Sequence, residues 1–281
     1  MKLEDFTKIL FEHDEETGIV LLTLNTPERR NALGLLSFLE LWHAMDIFQK
    51  NKRMKAIIIT GAKHPESDDP KDQAFSSGGY FDVKQIKDID PELRKEIDLG
   101  DIAQKKLCLK MWKLEKPIIA AMNGYAIGGG FTMPLAGADL IFMSEDAWVQ
   151  LPFARLGLVP ELASSYLLPR LLGFQKANEI LFFGERIPAK DIEQFGLINK
   201  VLPYEKVLPY ARAQALKLVP PRGASKSLKF IKRALRKPLI DAMEAALDLE
   251  NKGYSRTITT HDFAEAINAR KEKRAPEFKG H

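Results

Sequence analysis

Apolar residues in the first two thirds of the chain fall into short β-branched runs separated by longer amphipathic stretches. Gly18 to Asn25 (Gly-Ile-Val-Leu-Leu-Thr-Leu-Asn) is bounded by turn residues and reads as a strand. Lys55 to Thr60, with three consecutive isoleucines before Gly61, has the length and branching of a buried strand. Pro117 to Met122 and Ala138 to Met143 repeat that pattern. Leu33 to Lys50 places Leu36, Leu39, Ala44 and Phe48 at helical spacing, which predicts an amphipathic helix. His64 to Gln73 is polar, carries two prolines and is expected to be an exposed loop. The mixed, charged stretch Lys87 to Trp112 is expected to be helical. Strands alternating with helices predict an α/β architecture.

After about Pro203 the pattern changes. Tyr204 to Leu218, Ala224 to Arg236, Leu239 to Lys252 and His261 to Arg274 all read as helices, broken at Pro220-Pro221, Lys237-Pro238 and Gly253. The shift divides the chain into a core over residues 1–203 and a helical region over 204–281. The helical region carries apolar stripes (Leu228, Ile231, Leu235; Ala242, Ala246, Leu249) that a small appendage cannot bury alone, so they call for a shared interface or for packing against the core.

Composition narrows the partners. With 42 basic against 38 acidic residues the formal net charge is only +4, and no basic run is interleaved with aromatics, so nucleic acid is not indicated. Hydrophobic residues make up 45% of the chain, ample for a core, yet no apolar run is long enough to span a bilayer. The segment Met1-Lys2-Leu3-Glu4-Asp5 lacks the apolar core of a signal peptide, and Lys279-Gly280-His281 is not a peroxisomal address. The single cysteine, Cys108, excludes an intrachain disulfide and suits a reducing compartment. None of the five histidines sits in a ligand-rich motif, so no metal is implied. A soluble, cytoplasmic protein without a membrane partner is the expectation.

Two segments carry chemistry. Asn123-Gly124-Tyr125-Ala126-Ile127-Gly128-Gly129-Gly130 follows one apolar run and leads into another. Consecutive glycines at a strand-to-helix junction expose backbone N–H groups at a helix N-terminus, where an anion is favoured. Pro160-Glu161-Leu162-Ala163-Ser164-Ser165 sets one carboxylate among apolar neighbours. Desolvation there raises the Glu161 pKa towards the range of a general base. The competing reading makes Glu161 a helix-start carboxylate, with Ser164 and Ser165 as local hydrogen-bonders. An oxyanion site beside a lone buried carboxylate points to proton abstraction next to a carbonyl.

Lys116-Pro117-Ile118-Ile119-Ala120-Ala121-Met122-Asn123-Gly124-Tyr125-Ala126-Ile127-Gly128-Gly129-Gly130 resembles the signature of the crotonase (enoyl-CoA hydratase/isomerase) superfamily. Ala74-Phe75-Ser76-Ser77-Gly78-Gly79 resembles its second oxyanion loop. Pro188 to Val201 and the tail Glu272 to Gly280 fit the same pattern in the same order. The resemblance implies a spiral of ββα units followed by a C-terminal helical trimerisation region, with trimers often paired into hexamers. It implies an acyl-CoA substrate and no separate cofactor, coenzyme A being part of the thioester. The backbone N–H groups of Gly79 and Gly129 would hold the thioester oxygen. The coenzyme would be bound near Ser77 and Gly79, with Arg29 and, from a neighbouring subunit, Lys279 near its phosphates.

In hydratases of the superfamily two glutamates hold a water. Their positions here are Thr132 and Phe153. Glu161 instead resembles the single glutamate of Δ3,Δ2-enoyl-CoA isomerases, with Leu162-Ala163 where those enzymes have Gly-Cys. An isomerase with Glu161 as its acid/base is therefore expected. The alternatives are hydration or hydrolysis with Asp82 or Tyr80 as a second group, and a catalytically silent CoA-binding or RNA-binding member. The acyl-tail pocket is expected within Asp90 to Trp112.

Overall fold

The chain winds through one plan several times: a strand in a large sheet, a short strand in a second sheet, then a helix. In this computed structural model residues 1–80, 90–96 and 105–281 are described. Asp82 and part of the stretch Lys87 to Trp112 lie outside the described residues. Within that stretch helices are described at Pro91–Glu96 (α2) and Leu107–Lys113 (α3).

The large sheet begins with β1 (Ile9–Asp14) antiparallel to β2 (Ile19–Leu24). It continues in parallel through β3 (Ala56–Gly61), β5 (Ile118–Met122), β7 (Leu140–Ser144) and β10 (Lys200–Leu202). The second sheet stacks β4 (Ala74–Ser76), β6 (Tyr125–Ile127) and β8 (Trp148–Gln150) in parallel and closes with an antiparallel β9 (Arg186–Pro188). Each passage from β3 to β4, β5 to β6 and β7 to β8 thus steps from one sheet to the other. Helices α1 (Leu35–Lys50), α4 (Gly129–Gly137), α5 (Ser164–Leu172), α6 (Phe174–Phe183) and α7 (Ala189–Gln194) fill the connections.

The period-two side-chain alternation of β3 explains why its isoleucines are consecutive. Ile57 and Ile59 join the main core with Leu22, Ile118 and Ala120, whereas Ile58 and Ala56 face the other way with Ile119 and Ala121. That second face is covered by α8 (Tyr204–Leu218), through Val207, Ala211 and Ala215. α9 (Ser225–Arg236), α10 (Ile240–Thr257) and α11 (His261–Glu272) complete the chain.

Two expectations are refined. Leu33 does not open α1 but forms a parallel bridge with Gly79, so the helix starts at Leu35. Gly253 does not break its helix: α10 runs through it to Thr257. A Cβ at Gly253 would lie 3.1 Å from the Val159 side chain, so the glycine serves close approach of α10 to the turn that carries Glu161. The buried stripe of α10 is Met243, Leu247 and Glu250, one residue on from the expected Ala242, Ala246 and Leu249.

Candidate active site

The parallel pairing of β4 with β6 sets the two glycine loops side by side. Gly78 takes φ +87°, and a Cβ there would lie 2.3 Å from the Ile127 carbonyl oxygen, so no other residue allows this contact. The chain from Arg29 to Leu33 locks the first loop from outside. Ser77 N–H donates to the Arg30 carbonyl (2.9 Å), Leu33 N–H to the Gly78 carbonyl (2.8 Å) and Tyr80 N–H to the Leu33 carbonyl (2.9 Å). Flanked by these two bonds, Gly79 is the bridge residue whose own N–H and C=O point away from Leu33.

The second loop enters α4. Gly128 caps the helix at φ 49°, and its carbonyl accepts from Phe131 N–H (2.9 Å) and Thr132 N–H (3.0 Å). The Gly129 N–H, ahead of the first intrahelical bond, lies beside the carboxylate of Glu161. A Cβ on Gly129 would lie 2.9 Å from Glu161 Oε1. The structure therefore brings Glu161 against Gly129, as the sequence reading requires of a base beside an oxyanion donor.

Glu161 is half-buried, with its carboxyl close to Gly128 and Gly129. Burial, and secondarily the charge of Glu250, pushes its pKa up to about 7, and the Gly129 amide holds it down only in part. Such a group is half ionised near neutrality and exchanges protons readily. Tyr254, on α10, is pushed up to about 12 by burial and then by the charge of Glu161. Burial also drives the Cys108 thiol upward, which leaves it inert as a nucleophile.

Thr132 is fully buried, with its hydroxyl turned back on the Gly128 carbonyl at 3.3 Å. Phe153 is buried with its ring 3.9 Å from where a Gly128 Cβ would stand. Neither side chain presents a carboxylate to the glycine loop.

Sequence reasoning missed Glu250. This carboxylate, 4% exposed, reaches from α10 to the start of α5: Oε2 accepts from Ala163 N–H (2.9 Å), and Oε1 accepts from Ser165 N–H (2.9 Å) and Ser165 Oγ (2.5 Å). The role of helix-start carboxylate thus belongs to Glu250, while Ser164 Oγ donates to the Glu161 backbone carbonyl (2.7 Å). A glutamate at the i+7 position of the apolar stripe Met243–Leu247–Glu250 was the legible signal.

Arg29, Ser77 and Gly79 come together. Ser77 Oγ donates to the Arg29 carbonyl (3.1 Å), and the exposed Arg29 guanidinium lies 4.4 Å from the Tyr80 ring centre. Lys279 stands apart from them. Its N–H donates to Asp262 (2.7 Å) at the start of α11, which packs on the turn Ala154–Leu156. Among the described residues no cluster of metal-ligating side chains occurs, and no helix is long and apolar enough to cross a membrane.

A two-sheet ββα spiral with paired glycine loops is the crotonase-type fold, and the comparisons agree. The chain belongs to the enoyl-CoA hydratase/isomerase family, whose profile matches residues 14–281. It is 33% identical over 93% of its length to a probable mitochondrial enoyl-CoA hydratase of Dictyostelium discoideum, covering 88% of that protein. It is 28% identical over 94% of its length to the 1,2-epoxyphenylacetyl-CoA isomerase of Escherichia coli, covering 96% of it. A crystal structure of an enoyl-CoA hydratase/isomerase from Pseudoalteromonas atlantica superposes with a TM-score of 0.80 at 26% identity, covering 97% of this chain and all of that one. The chain is an enzyme of that family.

Proposed function

We propose that the enzyme moves the double bond of a 3-enoyl-CoA to the C2–C3 position, with Glu161 as its single acid/base. The observation that carries this reading is one half-buried carboxylate, pushed up to about 7, against the Gly129 amide, with Thr132 and Phe153 where the resemblance places hydratase carboxylates. A thioester oxygen held between Gly79 and Gly129 brings C2 next to Glu161. The carboxylate takes the C2 proton, the C2–H electrons form a C1–C2 double bond, the carbonyl π electrons move onto the thioester oxygen, and a dienolate forms. The protonated Glu161 then returns its proton to C4, the C3–C4 double bond becomes C2–C3, and the carbonyl is restored. Such a shift needs no metal or redox cofactor.

Coenzyme A would lie along Ser77 and Gly79, with Arg29 near its phosphates and Lys279 supplied by a neighbouring subunit. Assembly as a trimer or a dimer of trimers is supported by Phe230, Ile231 and Leu235, all more than half exposed along one helix. Cytoplasmic residence suits the single, buried Cys108. The names of the relatives favour hydration as a second reading. Purified protein offered 3-hexenoyl-CoA and crotonyl-CoA decides between them. Faster isomerisation of the first supports the proposal, and dominant hydration of the second overturns it.

A further inference from the structure

We infer that Glu250, on α10, is a positioning residue that clamps the turn carrying Glu161 and aims its carboxylate at the glycine loop; this rests on Glu161 being the base. The turn needs a clamp. Leu162 and Ala163, directly after Glu161, both adopt left-handed backbone, at φ 55° and 60°, without being glycine. Side-chain-bearing residues disfavour that conformation and keep it only where surrounding contacts over-determine it. Glu250 supplies such contacts from 85 to 87 residues away in sequence, gripping the amides of Ala163 and Ser165 with separate oxygens and the Ser165 hydroxyl as well.

α10 also borders the other side of the same turn, where Gly253 meets Val159. The helix therefore holds the Glu161 turn before and after the base. It buries a carboxylate on its apolar stripe to do so, where an apolar residue would pack without needing donors. From other elements, the ionisable groups among the described residues that feel Glu250 are Glu161 and the Cys108 thiol of α3; Tyr254, one turn along on α10 itself, feels the charge of Glu161. Burial raises the pKa of Glu250, and the N–H and O–H donors of Ala163 and Ser165 offset this in part.

The full-length Glu250→Gln variant tests this. Gln has one acceptor oxygen and must turn an NH2 group towards an N–H donor, so half of the grip is lost. With 3-hexenoyl-CoA, kcat is expected to fall on the order of tenfold to a hundredfold, as misplacement of a catalytic group does. KM should change little. The acid limb of the pH profile should move to lower pH, because a neighbouring negative charge is gone, and hydrogen exchange at the Ala163 and Ser165 amides should speed up. Adding Ala163→Gly to the variant should restore part of kcat, since glycine holds left-handed backbone unaided.

A folded Glu250→Gln enzyme with wild-type kcat and an unmoved acid limb would overturn the inference, as would a loss confined to KM. If Glu250→Gln does not fold, Glu250→Asp, which retracts the carboxylate while keeping its charge, is read the same way for kcat and exchange. Failure of the base assignment is separate. Wild-type turnover by Glu161→Gln would remove that reading, while exchange at Ala163 and Ser165 would still decide the clamp.

Discussion

Two turns of positive φ face each other across the site, and the chain builds them by opposite means. At Gly128 the backbone reaches φ 49° with a residue that bears no side chain, beside a short parallel strand that fixes its direction. At Leu162 and Ala163 it reaches φ 55° and 60° against the preference of both residues, with Glu250 on a distant helix gripping the result. The first turn is a local device, whereas the second exists only because the C-terminal helices fold back over the core. The glycine side of the site is thus carried by the sequence near it, and the Glu161 side by tertiary structure.

The largest effect that sharpens this contrast is on chemistry. Glu161→Gln keeps the shape of the base and removes its proton transfer, so turnover of a 3-enoyl-CoA should drop roughly a hundredfold to ten-thousandfold. Binding of the CoA ester, measured by calorimetry, should persist. In the proposed mechanism Glu161 must be ionised to act. With its pKa at about 7, kcat/KM should rise with pH up to neutrality and level off above it. A flat profile from pH 5 to pH 8 would show that another group sets the rate.

Gly129→Ala attacks the opposite wall. Its methyl would stand 2.9 Å from Glu161 Oε1, so the carboxylate must leave its place against the amide. A displacement of that size should cost on the order of a hundredfold in kcat. Circular dichroism should stay native, because the neighbouring Gly128 and Gly130 are untouched.

How much was legible follows the same division. The isoleucines of β3, the helix from Leu35 and the glycine loop could be read from local pattern, because each declares itself within a few residues. The three-residue strands β4, β6, β8 and β9 are too short to repeat an alternation of period two, and only pairing defines them. Glu161 was legible as a carboxylate in apolar company. The burial of Glu250 could be read from its stripe, but not the turn it grips, because the 85 to 87 residues that separate it from Ala163 and Ser165 carry no local pattern linking them. Gly253 was misread for a related reason: a helix break and a close approach call for the same residue.

Burial of Glu161 should also be visible as a stability effect of opposite sign to its catalytic one. Its folded pKa, about 7, lies above the ordinary value of 4.5. Its contribution is therefore fully present below the ordinary value and is lost as pH rises through the folded one. Glu161→Gln should leave stability unchanged near pH 4 and raise it by up to about 3 kcal/mol at pH 8. Urea melts at the two pH values check this. Equal stabilities at pH 8 would mean that the carboxylate is not desolvated in the native state.

The smallest effects compare the two turns directly. Gly128→Ala forces a Cβ onto backbone at φ 49° and ψ −122°, outside the left-handed helical region that other residues can visit, and should destabilise the fold by about 1–3 kcal/mol. Ala163→Gly runs the other way. It relieves left-handed strain of about 1–2 kcal/mol, but glycine gives the unfolded chain more freedom to lose on folding, at a cost of about 0.4–1 kcal/mol. The two terms nearly cancel, so the melting midpoint should move little, with any net change towards stability. If Ala163→Gly instead cost as much as Gly128→Ala, the Ala163 side chain would be held by packing and the turn would not be strained. Leu162→Gly cannot serve in its place, because it also removes a side chain buried in the core and confounds strain with cavity formation. Ala163, fully buried but small, isolates the backbone term.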